Sequence, residues 1–201
     1  MRMSVGPTAV AALLALACGY THATPSDGAP QDGIQNTKNR SYAQISDYGY
    51  RPATIECVIA AAQRQNVPAN VLLGIASIEM GANGDRIGNS NKSLDLGHFG
   101  INTVHFRPGG LLANAGIRPE DVASRGCYNA EVAAWLLARC LREQRGADFW
   151  VWAANYHSAT PKFNAAYRQK LIRFSAQWGR WLQYRYPQVS IYQPHPLGDQ
   201  Q

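Results

Sequence analysis

The stretch LLGIASIEMG, residues 72–81, decides how the chain is read. Its apolar residues recur at helical spacing, and Glu79 follows Leu72 by seven residues, Ile75 by four and Ala76 by three. Those offsets put a carboxylate on the aliphatic face of a helix, not opposite it. Such a Glu either skirts the edge of the core or is held in a cleft for chemistry. At a helix C-terminus its anion meets the negative end of the helix dipole, and burial strips its hydration. Both effects favour the protonated form near neutral pH. A protonated carboxylic acid facing a groove can protonate a leaving-group oxygen, as glycosidic bond cleavage requires.

Helical patterns continue on both sides. PATIECVIAAAQRQN, residues 52–66, sets Ile55, Val58, Ile59 and Ala62 on one face. Pro68 suits the first turn of the helix that carries Glu79, and Gly81 and Gly84 are its expected stop. RPEDVAS, residues 118–124, predicts a short helix, and residues 128–146 a long amphipathic one stopped by Gly146. DFWVWAANY, residues 148–156, is a further helix, and a Thr-Pro cap opens the last, residues 160–186. Alternating strand patterns are scarce, so the expected fold is mainly α, one domain over residues 50–186. Residues 187–201 read as a loosely ordered tail.

The first 23 residues read as an export signal: Arg2, then an apolar run from Val10 to Ala17, then Thr21-His22-Ala23 as the exit site. That run is too short for a permanent span. Cys18 ends it, but Ala15 stands where lipidated cysteines usually have Leu, so lipid attachment there is the lesser expectation. Residues 24–49, rich in Gly, Pro, Asp, Asn, Gln and Ser, read as a flexible leader. The net charge of +6 suits an anionic surface, yet no Lys/Arg run is long enough to track nucleic-acid phosphates.

Export leaves Cys57, Cys127 and Cys140, so one disulfide and one leftover thiol are expected. Along one helix Cys127 and Cys140 would stand about 18–20 Å apart, whereas bridged Cα atoms approach within about 7 Å. Cys57 is therefore one partner. No CxxC pair suggests zinc, and His98, His105 and His157 lack ligand spacing, so no metal and no cofactor are expected. P-loop, dinucleotide, HExxH and Gly-x-Ser-x-Gly motifs are absent from the sequence.

After Glu79 comes a long polar loop, ANGDRIGNSNKSLDLGHFG, residues 82–100. A loop of that length inside a domain is uncommon unless it functions. Asn89, Asn91, Ser93 and Asp95 crowd it, and Gly97 and Gly100 flank Phe99. Amides and hydroxyls suit sugar hydroxyls and N-acetyl groups, and glycines allow close approach. Trp150, Trp152, Tyr156 and Phe163 could offer flat faces to sugar rings, although core packing is the commoner use at helical spacing.

The order of Glu79, the polar loop, DLGHFGIN, CYNAEVAAWLLA and WAANYHS resembles the lysozyme-like lytic transglycosylases. The likeness is greatest to the small periplasmic ones that accompany secretion, conjugation and pilus machines, and it covers residues 55–167. It implies a lysozyme-like domain with Glu79 as the catalytic acid. Gly97, Ile101 and Asn102 match the family's Gly-Leu-Met-Gln-Ile-Asn segment, with Ser93 loosely matched before it. Tyr156 matches a later Tyr whose hydroxyl is implied to position the Glu or the N-acetyl group. The resemblance also implies a Cys57–Cys127 disulfide. Phe99 stands for Met, Gly100 for Gln and His157 for Asn, so the implied substrate-binding set is altered at Phe99, Gly100 and His157.

What the resemblance implies is cleavage of the β-1,4 bond between N-acetylmuramic acid and N-acetylglucosamine in peptidoglycan, with a 1,6-anhydro end and no cofactor. The expected partners are glycan strands and components of a secretion, conjugation or pilus apparatus, in the periplasm. One alternative is a hydrolytic lysozyme, for which Asp85 or Asp95 would supply the second carboxylate. Another is a wall-binding module without turnover, suggested by the amides missing at Gly100 and His157.

Overall fold

Residues 50–143 and 148–193 are described by a computed structural model. The proposed signal and leader, Cys18, Gly146 and residues 194–201 lie outside them. Helix α1 (Ile55–Arg64) starts at a reciprocal cap: the Thr54 hydroxyl accepts the Cys57 N–H at 3.2 Å, and Cys57 Sγ accepts the Thr54 N–H. Helix α2 (Ala69–Glu79) buries every residue from Ala69 to Ile75. It is thus a central helix, buried on all sides, that only its last turn brings to the surface.

The polar loop is not structureless. It forms a small antiparallel sheet in the order β1 (Arg86–Gly88), β2 (Leu94–Leu96), β3 (Ile101–Asn102), with Ile87 opposite Asp95 and Asp95 opposite Asn102. Strands of two or three residues are too short to show an alternating pattern in sequence. A 3₁₀ turn (Thr103–Phe106) and two short helices, α3 (Leu111–Asn114) and α4 (Pro119–Ser124), follow.

Helix α5 (Gly126–Arg142) buries 14 of its 17 residues, more than an amphipathic surface helix would. Its buried Glu131 is neutralised by α1: Arg64 Nε donates at 2.9 Å and Gln65 Nε2 at 2.9 Å. Helices α6 (Phe149–Ala154) and α7 (Pro161–Arg185) complete the domain. Helix α7 lies so close along α2 that a Cβ on Gly74 would come within 2.7 Å of Ser175 Oγ.

Three expectations change. Met80, not Gly81, ends α2 in the left-handed conformation, with φ of 53°. Residues 187–193 are docked, not loose. Asn70 Oδ1 accepts the Tyr192 N–H at 2.8 Å, Asn70 Nδ2 donates to the Tyr192 carbonyl at 2.9 Å, and the Tyr192 ring stacks on Phe149. Cys140 is fully buried, and among the described residues no cysteine is free, so the leftover thiol is not found.

The Cys57–Cys127 disulfide is present, with Cα atoms 5.6 Å apart, and ties α1 to the start of α5. It closes 70 residues of chain, including the sheet and the turn after Glu79. Replacing both cysteines with Ser is expected to cost about 2–5 kcal/mol, chiefly by freeing the unfolded chain. Urea unfolding of the variant checks this; an unchanged midpoint would refute it.

Candidate active site

Glu79 is the last residue of α2, and the chain turns away from it through Met80. Gly81 then meets the loop before β3 backbone to backbone, so tightly that a Cβ there would sit 2.0 Å from the Gly97 carbonyl oxygen. Asp85 closes this turn by accepting the Ala82 N–H at 2.7 Å. His98 fixes the loop to the start of α1, its Nε2 accepting the Ala53 N–H at 3.1 Å.

One buried amide sets the Gly97–Gly100 turn. Asn129 on α5 donates to the Leu96 carbonyl at 2.9 Å and the Val122 carbonyl at 2.8 Å, and its Oδ1 accepts the Phe99 N–H at 2.9 Å. The Tyr156 hydroxyl donates to the Phe99 carbonyl at 2.9 Å. Both backbone groups of Phe99 are thereby held, and its ring is fully buried. The next residue, Gly100, has φ of +58° and lies directly against the carboxylate, where a Cβ would come 2.7 Å from Glu79 Oε2. Glycine is thus the residue that leaves room for Glu79 here.

The other carboxylate oxygen is held from α7: the Tyr167 hydroxyl donates to Glu79 Oε1 at 2.7 Å. Burial pushes the Glu79 pKa up; the Tyr167 hydrogen bond opposes it, Asp95 adds to it and Lys170 opposes it, leaving a value of about 7. The acid is therefore poised between protonated and ionised forms at neutral pH. His157 stacks on Tyr167 with ring centroids 4.7 Å apart and planes within 3°.

Asp95 lies near enough to act on Glu79 electrostatically, but its Oδ1 accepts Asn102 Nδ2 at 2.7 Å across the β2–β3 pair. Asn102 also donates to Ser93 Oγ at 2.9 Å, and Ser93 donates to Asn91 Oδ1 at 2.6 Å. These residues fold the loop from within.

The predicted substrate-binding residues accordingly divide. Ser93, Gly97, Phe99, Ile101 and Tyr156 are buried, so they build the wall behind the acid and do not present side chains to a ligand. Gly100, against Glu79, and Asn102 are partly exposed, and His157, stacked on Tyr167, is exposed. The Tyr156 hydroxyl donates to the Phe99 carbonyl and not to Glu79; the hydroxyl that meets Glu79 is that of Tyr167. Of the aromatic candidates, Trp150 is buried, and Phe163 is 53% exposed.

Two residues escaped the sequence reading. Tyr167 shares the buried stripe of α7 with Asn164, Leu171 and Ser175, a hydroxyl on an inward face, which is the signal that exposed Glu79. Asn129 shows the same anomaly, an amide within the buried length of α5. Among the described residues no group of three or more His, Cys, Asp or Glu is placed to hold a metal. His105 is buried and, chiefly by desolvation, its pKa falls to about 4, so its ring is neutral. Comparison with protein-family models and with curated proteins finds no match for this chain.

Proposed function

We propose that the protein is a peptidoglycan lytic transglycosylase of lysozyme-like architecture. The observation that carries this reading is Glu79 itself: a carboxyl group with a pKa of about 7, at the end of a core helix, held by Tyr167 and bordered by a glycine. Protonated Glu79 donates to the oxygen linking N-acetylmuramic acid to N-acetylglucosamine as the C1–O bond breaks. The muramic acetamido group stabilises the sugar cation, which removes the need for a carboxylate nucleophile. Ionised Glu79 then takes the proton of the same sugar's 6-hydroxyl while that oxygen bonds to C1. The 1,6-anhydro end forms without water, and Glu79 returns protonated.

The two carboxylates that a hydrolase would call on are otherwise engaged, Asp85 by the Ala82 N–H and Asp95 by Asn102. That favours the route without a second carboxylate. Export to the periplasm and local wall opening for a secretion, conjugation or pilus machine complete the proposal and rest on the sequence resemblance. Deleting the gene should then impair assembly of that machine; full assembly would remove this part.

Mass spectrometry of purified peptidoglycan after digestion tests the chemistry. Sugar ends one water lighter than reducing ends are expected. Ordinary reducing ends would assign a lysozyme with Asp95 as the first candidate for activating water. No cleavage by the folded protein would assign a binding module.

Tyr167→Phe provides a second check. The Tyr167 hydroxyl stabilises the ionised form of Glu79, so its loss raises the Glu79 pKa further. The first step needs the protonated acid, hence the alkaline limb of the pH–rate profile should move to higher pH. A limb that stays in place would mean that another group governs it.

A further inference from the structure

Helix α7 carries two faces with different tasks. Its inner face brings Tyr167 to Glu79. Its outer face is exposed, and its composition is lopsided: the 25 residues include Lys162, Arg168, Lys170, Arg173, Arg180 and Arg185 and no acidic residue. Among the described residues the ion pairs are made by Arg64, Arg118 and Arg125, none of them on α7.

Helical geometry gathers these charges. Lys170, Arg173, Arg180 and Tyr184 fall within one outward stripe at 100° per residue. Phe163 and Trp181 are 18 residues apart, about five turns, and so align along one border of it. Tyr184 is 89% exposed, Phe163 53% and Trp181 38%. Cations combined with exposed Trp and Tyr match the chemistry of a bilayer interface, where guanidinium and ammonium groups meet phosphates and amphipathic rings sit among the headgroups.

We propose that the outer face of α7 docks the protein on an anionic phospholipid bilayer. The helix lies on the surface and does not enter it: no helix among the described residues is long and apolar enough to cross a membrane. A single convex helix face also suits a plane of headgroups better than a polysaccharide strand, which needs a groove to hold it. Lys170, which also acts on Glu79, borders the Tyr167 face, whereas Arg173 and Arg180 lie about 120–140° round the helix from Tyr167. The proposal does not depend on the transglycosylase reading.

The test is co-sedimentation of the protein, purified from the exported fraction of expressing cells, with vesicles of phosphatidylglycerol and phosphatidylcholine or of phosphatidylcholine alone. Binding to the anionic vesicles is expected, weakening as salt rises. Since each Lys or Arg near such a surface is worth roughly fivefold in partitioning, Arg173→Glu combined with Arg180→Glu should weaken binding by at least about thirtyfold. Trp181→Ser combined with Tyr184→Ser should weaken it several-fold without abolishing its salt dependence. Thermal melts of both variants establish that they fold. If the charge variant misfolds, the salt dependence of the wild type and the aromatic variant still decide the matter. Equal binding to both vesicle types, or full binding by the folded variants, would overturn the proposal. So would sedimentation with purified wall material in place of vesicles when the same residues are required, because the partner would then be the wall polymer.

Discussion

Glu79→Gln is expected to lower glycan cleavage by about 10²–10⁴-fold, the usual worth of a positioned general acid, while the folded protein becomes more resistant to unfolding at alkaline pH. Gln keeps the length of the side chain and still offers an oxygen to the Tyr167 hydroxyl, so the geometry survives and only the transferable proton is lost. The stability change has a definite sign. Folded Glu79 has a pKa of about 7 against an ordinary value of 4.5, so between these values the folded protein holds a proton that the unfolded chain has released. Stability therefore declines as pH rises from about 4.5 through about 7, and stays lowered above it. Gln does not titrate and escapes this decline. The melting temperature of the variant minus that of the wild type should grow from pH 5 to pH 8. A constant difference would mean that Glu79 is not held at a raised pKa, and undiminished cleavage would end its role as the acid.

The second large effect is expected at Gly100, where one methyl group meets two obstacles. An alanine at φ of +58° is strained by about 1–2 kcal/mol, and its Cβ would stand 2.7 Å from Glu79 Oε2. The carboxylate is the mobile partner, because the Phe99 backbone is held on both sides by Asn129 and Tyr156. Gly100→Ala should therefore push Glu79 off its Tyr167 hydrogen bond and reduce turnover by about 10²-fold, the scale at which a misplacement near 1 Å is felt. The expected signature is a fall in kcat with little change in KM, since Gly100 presents no side chain to a substrate. A variant with wild-type turnover would show that the acid tolerates the shift. This also recasts the glycine where the resembling family carries Gln: in this chain an amide at position 100 would collide with the acid.

Much of the fold was readable because burial imposes period. Ile55, Val58, Ile59 and Ala62 mark α1, and the apolar run before Glu79 marks α2, since a helix in the core must repeat its apolar residues about every 3.6 positions. The sheet was not readable: β1, β2 and β3 are two or three residues long and are held by backbone pairing, which any sequence can make. Neither was the docking of Tyr192, because it depends on Asn70, 122 residues earlier. Inside the site, Glu79 was legible as a charge on an apolar stripe. Ser93 and Phe99 carried residue types suited to sugars, and only their burial shows that they shape the loop instead.

By itself the sequence determined the mainly helical class, the position of the acid at the end of a core helix and the participation of Cys57 in a bridge. These follow from local spacing and from the reach of a helix, which neighbours along the chain suffice to set. The tertiary structure decided that Tyr167, not Tyr156, meets Glu79. That choice is made across 88 residues by the packing of α7 on α2, and two tyrosines of similar local character receive different partners only once the helices are in place. The raised pKa belongs to the same level, since desolvation is a property of everything that surrounds the carboxylate and not of the stretch that contains it.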